Sequence, residues 1–193
     1  MTITKKFNLK RGFTLIELLI VIAILGVLAV VVLLALNPIQ QLARTRDAGR
    51  KSGVAQLGHA IEANATTNNG VYLTPVATWI TSLQTSGEIS SIPQVIAYSA
   101  PASGTHPIGA PCATVGTVFN QSNYCYTTYG GNTRAIVYSR LESGADNNRC
   151  TALQAAWFVY STTNSSAGIL CTTLPAIPGD PGINGYNGAV WIQ

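Results

Sequence analysis

From Phe13 to Leu36 the chain reads FTLIELLIVIAILGVLAVVVLLAL, and only Thr14 and Glu17 are conspicuously polar in it. No charge follows Glu17 until Arg44. As a helix these residues would reach about 36 Å, against a bilayer hydrocarbon core of roughly 30 Å. The length suits a membrane span, and a helix that is apolar on every side must be buried in something. After Leu36 the composition turns to Thr, Ser, Asn and Gly, as expected of an exposed domain. With 193 residues in all, the chain has room for one modest globular domain and an appendage.

The formal charge of +4 invites a nucleic-acid reading that its distribution does not support. Lys5, Lys6, Lys10 and Arg11 supply four of the eleven basic residues, which leaves seven basic against seven acidic beyond residue 12. The bulk of the chain therefore has no net electrostatic footprint for DNA, and such a partner would need a local patch. Arg44, Arg46, Arg50 and Lys51 are the candidates. The plainer reading of that segment, Asn37 to Gly53, is an exposed, mostly polar neck with solvated charges.

Cys112, Cys125, Cys150 and Cys171 are even in number and lack the CxxC spacing of zinc or redox sites. They suit two structural disulfides in an oxidising compartment. Three pairings are open; Cys112 with Cys125 and Cys150 with Cys171 is favoured because each closes a local loop. Basic residues flank the apolar run on both sides in nearly equal number, so the positive-inside rule alone does not orient it. The cysteines do: the short end stays in the cytosol and the large domain crosses.

The amino terminus admits three readings. A secretory signal peptide would have a shorter core and a small-residue cleavage site, and LNPIQQLARTRD after the run has no A-x-A pattern. A plain anchor accounts for the length but not for Glu17 or the Gly12-Phe13 step. The stretch KRGFTLIELLIVIAILGVLA closely resembles the prepilin signal shared by type IV pilins and type II secretion pseudopilins. The resemblance implies cleavage by prepilin peptidase on the cytosolic side, between Gly12 and Phe13, and N-methylation of Phe13. The apolar run then stays in the product as its anchor, while glycine lets a protease approach the backbone closely.

Glu17 is an acid inside an apolar span, which is costly enough to ask for a partner. Cleavage would create an α-amine on Phe13, protonated at neutral pH with a pKa of roughly 8, one helical turn from Glu17. Between staggered subunits the same two groups meet across a helix–helix contact. Apolar surface then supplies adhesion and the ion pair specifies register, a role the resemblance implies for the matching glutamate.

Further along, Val54, Leu57, Ile61 and Ala65 recur at helical spacing and predict a helix face packed on the head. Gly26 and Pro38 mark the stretch where the helix is expected to break or unwind; the glycines at 26, 49, 53 and 58 suit that, or close packing in a filament. Asn68-Asn69-Gly70 ends the long helix. Thr74-Pro75 predicts the start of a short one carrying Trp79 and Leu83, closed by Gly87. NYCYTTY and RAIVYSRL flank Gly130-Gly131-Asn132 as a hairpin, AAWFVYS is a third strand, and Ile169-Leu170-Cys171 follow a turn. The segment YCYTTYGGNTRAIVYSRLES also resembles the sheet of bacterial pilin heads.

No enzyme signature appears. His59 and His106 have no nearby ligating residues, the acids are scattered, and no P-loop or dinucleotide fingerprint is present. Asp180, Asn184 and Asn187 would offer a calcium ion a single carboxylate, so no metal and no cofactor are expected. Asn64, Asn120 and Asn164 fit the glycosylation sequon in a head rich in Asn, Ser and Thr.

These readings combine into an α+β, pilin-like chain with a long N-terminal α-helix and a small antiparallel β-sheet head. The expected parts are a basic leader over 1–12, a transmembrane and filament-core helix over 13–36, its amphipathic continuation over 37–67 and a disulfide-bonded head over 68–193. The expected function is a non-enzymatic subunit of a type IV pilus. It would sit in the bacterial inner membrane as precursor and in an extracellular homo-oligomeric filament after assembly, serving adhesion, twitching or DNA uptake. Its partners would be membrane lipid, prepilin peptidase and the pilus assembly machinery, with DNA left open. The alternatives are a type II secretion pseudopilin and a non-polymerising single-pass protein whose head binds a ligand.

Overall fold

A computed structural model describes residues 12–98, 119–151, 154–173 and 191–192. The chain divides after Gln41 into two compact units.

In the first unit, α1 runs from Leu15 to Leu36. Thr14 caps it in an extended conformation, and Asn37 ends it at φ 40°, in the left-handed region that asparagine tolerates. A second helix, α2, Pro38–Thr67, follows at once. Proline suits the first position of a helix, where no amide is needed, and the Asn37 carbonyl accepts from the amide of Gln40 at 3.0 Å. The expected break is therefore confined to Asn37-Pro38. Gly26 does not interrupt α1, because one glycine costs about 1 kcal/mol in a helix while proline within a helix costs about 3.

In the second unit the rest of α2 lies against an antiparallel sheet of six strands in sequential order, β1 to β6. The four long strands are β2 Tyr124–Tyr129, β3 Arg134–Arg140, β4 Gln154–Ser161 and β5 Ser166–Thr173. Short β1 Phe119–Gln121 and β6 Trp191–Ile192 flank them. The β2–β3 turn holds Gly130, Gly131 and Asn132 at φ 59°, 66° and 65°, which fits the glycine-rich hairpin signal. The fold is α+β, as expected.

Register sorts the side chains into two layers. Tyr126 pairs with Val137 and Val137 with Tyr160, placing all three on the face that receives α2. Val54, Leu57 and Ile61 complete that core with Trp79, Ile80 and Leu83 of α3, Trp79–Thr85. Cys125, Tyr138, Trp157, Val159 and Leu170 form a second cluster on the other face. Two glycines let α2 come close. A Cβ at position 53 would overlap the Tyr124 ring, and one at position 58 would overlap the ring of Tyr160. These glycines serve the interior of the head itself, where filament packing or unwinding was expected.

Two boundaries differ from expectation. α3 begins at Trp79 instead of Pro75, where Thr78 makes no side-chain cap and the Gln121 side-chain Oε1 accepts the Ile80 amide at 2.6 Å in its place. The exposed neck is the larger correction. Ala43, Asp47, Arg50 and Gly53 are buried, so the face that α2 turns to the head starts well before Val54.

Candidate functional site

Gly12, Phe13 and Thr14 are exposed ahead of α1, and Phe13 retains 83% of its accessible surface. Helix formation starts where Thr14 and Glu17 form a capping box. The Thr14 hydroxyl accepts the Glu17 amide at 3.3 Å, and the Glu17 Oε2 accepts both the Thr14 amide at 2.9 Å and the Thr14 hydroxyl at 2.8 Å. Sequence reasoning missed Thr14 as a partner, although a threonine three residues before a glutamate is the signature of this motif. Both bonds use one carboxylate oxygen. Among the described residues none pairs with Oε1, which leaves that atom for a second partner.

No residue of α1 is buried. Leucine, isoleucine, valine and alanine cover it on all sides, and its 22 residues span about 33 Å. By length and composition this helix is able to cross a membrane.

The basic segment of α2 is assembled very differently. Arg50 is 1% exposed and donates through Nη1 to Asp47 Oδ1 at 2.7 Å and to Glu142 Oε1 at 3.0 Å. Its Nη2 reaches the carbonyls of Ile96 and Ala97 at 3.4 and 3.1 Å, and its guanidinium lies 3.9 Å from the centre of the Tyr98 ring. Asp47, also 1% exposed, accepts the backbone amides of Glu142 at 3.0 Å and Ser143 at 2.7 Å. Arg46 bonds Glu142 as well, and Lys51 holds Asp146 at 2.8 Å. Tyr98 donates to the Arg140 carbonyl at 3.0 Å, and burial pushes its hydroxyl pKa up.

This geometry corrects two expectations. The charges at 46, 50 and 51 are neither a solvated neck nor an open basic patch, because each is matched by a carboxylate; Arg44, the fourth residue of the expected patch, is exposed, so little of the basic surface that DNA contact would need is left. The acids that look scattered in sequence are also gathered: Asp47 meets Arg50 from three residues away, while Glu142 and Asp146 meet the basic side chains from almost a hundred residues away.

The Cys150–Cys171 disulfide is formed, with Cα atoms 5.5 Å apart and a sequence separation of 21. Cys125 is buried, and its expected partner Cys112 lies outside the described residues, as do His106, Asp180, Asn184 and Asn187. Asn64 is a poor acceptor for a glycan, being 4% exposed with its amide 3.3 Å from the Ser86 hydroxyl. Asn164 is exposed in the β4–β5 turn. The His59 Nδ1 sits 3.3 Å from the Tyr160 hydroxyl, which donates to Glu62 Oε2 at 2.8 Å. Among the described residues no three His, Cys, Asp or Glu side chains gather to hold a metal ion.

Comparison with known proteins adds one finding. Residues 7–33 match the prokaryotic N-terminal methylation motif, the signature of type IV pilins and pseudopilins. The match spans the Gly12-Phe13 step, Glu17 and most of α1. No curated protein and no solved structure matches the chain.

Proposed function

We propose that this chain is a pilin: a structural subunit held in the bacterial inner membrane by α1, trimmed between Gly12 and Phe13, methylated on the new amine and polymerised into a surface filament. The observation that carries this reading is the pairing of a methylation motif with a helix that buries none of its residues. In water so much apolar surface is not tolerable; lipid shields it before assembly and sister helices shield it afterwards. Residues 1–12 act as the leader, 13–36 as anchor and filament core, 37–67 as the continuation that carries the head, and 68–193 as the head.

Glu17 sets the register. Its Oε2 stays on the Thr14 cap while Oε1 meets the Phe13 amine of the neighbouring subunit, an ion pair worth keeping because only one axial stagger satisfies it. Prepilin peptidase and an inner-membrane assembly machine are the partners this route requires. Long surface filaments at native expression distinguish the pilin from a pseudopilin, whose loss abolishes protein secretion instead.

The first test is the mass of the mature protein. Methyl-Phe13 at its amino terminus is the expected result, and a terminus at Met1 refutes the processing route. The second is Glu17→Leu, expected to insert normally while incorporation into filaments falls roughly a hundredfold, as loss of one partner from a buried pair costs about 3 kcal/mol. Normal filament yield from that variant removes the register role.

A further inference from the structure

We propose that Asp47, Arg50 and Glu142 form a mechanical latch that keeps the head fastened to α2 when the helix is pulled along its axis. The proposal rests on the filament reading only in that a filament subunit carries tension through its amino-terminal helix.

Order along the chain comes first. Within the head unit, which starts at Leu42, the earliest buried residues of α2 are Ala43, Asp47 and Arg50. Tension arriving along α2 meets these before it meets Val54, Leu57 and Ile61.

The two parts of the interface also resist sliding differently. The contacts of 53–65 are largely apolar and non-directional, so a shifted helix trades one such contact for another. The charged part has one solution. A slip of one turn, about 5.4 Å, carries Asp47 away from the amides of Glu142 and Ser143 and strands Arg50 without its carboxylates. Arg50 moreover ties its own helix to two separate segments, 96–98 and Glu142, so these bonds stretch together instead of one after another.

Resting stability does not account for this arrangement. Buried ion pairs are often matched or bettered by apolar side chains of similar volume, and Arg50 Nε has no hydrogen-bond partner among the described residues. What apolar substitutes lack is a single register.

The test pulls the full-length protein in detergent micelles, with one handle on an unnatural amino acid at Gln41 and the other on a C-terminal tag. Asp47→Asn/Arg50→Met/Glu142→Gln removes the three buried charges and leaves Arg46, whose side chain is 26% exposed, to solvent, and Leu57→Ala is the control that weakens the apolar part. Wild type is expected to rupture in one step. The triple variant is expected to lose that step and release α2 earlier, at lower force, while the control keeps a single rupture. A triple variant that ruptures like wild type overturns the latch, as does a control that releases α2 equally early. If the triple variant does not fold, Tyr98→Leu removes the ring beneath Arg50 and leaves the carboxylates paired; it should shift rupture in the same direction, and an unchanged rupture refutes the proposal. Absence of filaments from wild-type cells would sink the pilin reading and leave the pulling result untouched.

Discussion

α1 and the head-bound part of α2 are consecutive helices with opposite habits. The first is almost wholly apolar and buries nothing; the second carries Asp, Arg, Lys, Gln and Gly, and eleven of its thirty residues are buried. Hydrophobicity therefore does not predict which helix a single subunit encloses. α1 has an apolar surface without a pattern, and such a surface serves whatever medium surrounds it. α2 has a pattern, and the fold is built on that pattern.

The strongest way to break the comparison is alkali. Burial raises the hydroxyl pKa of Tyr98, Tyr124, Tyr126 and Tyr138, all in the head, and α1 contains no tyrosine. An unfolded chain releases these protons near pH 10, whereas the folded head holds them longer. The stabilisation is thus complete below about pH 10 and is lost as pH rises above it. Circular dichroism in micelles should show the head signal collapsing as tyrosinate absorbance appears, with the helical signal of α1 retained. Tyrosinate appearing while the head stays folded would contradict the burial argument.

Removing Cys150–Cys171 by a double change to alanine should cost the head about 3 kcal/mol, read by denaturant unfolding, since the bridge closes a loop of 21 residues. The helical signal of α1 in micelles should not respond. Smaller and more pointed is a pair of glycine substitutions. Gly58→Ala drives a methyl into the Tyr160 ring and should destabilise the head by about 2 kcal/mol. Gly26→Ala meets nothing within 4 Å and should stabilise α1, by up to about 1 kcal/mol. Equal effects at the two sites would erase the distinction between the helices.

Much of this was legible in the residues. The apolar run, the hairpin at Gly130-Gly131-Asn132, the strands after it and the stripe at 54, 57, 61 and 65 carry local signals that tertiary structure did not override. The earlier part of that stripe was hidden by chemistry. Ala43, Asp47 and Arg50 continue the same spacing towards the amino terminus, yet two of the three are charged, and charge reads as solvent until its partner is located. That partner, Glu142, comes from two residues beyond β3, a distance no local pattern encodes. The start of α3 was obscured for the same reason, because its capping group belongs to Gln121. At the amino terminus the case is reversed: Thr14 lies three residues from Glu17, a local signal for the bond between them that needs no distant partner.

That bond bears on the maturation step proposed above. The amide that Thr14 gives to Glu17 belongs to the Phe13–Thr14 peptide, one link downstream of the Gly12–Phe13 junction. On the proposed route, severing the junction would remove a leader without touching the knot that starts the rod, so precursor and product would share the same first turn. The freshly bared end would be born already shaped, with its first turn wound before it met a neighbour.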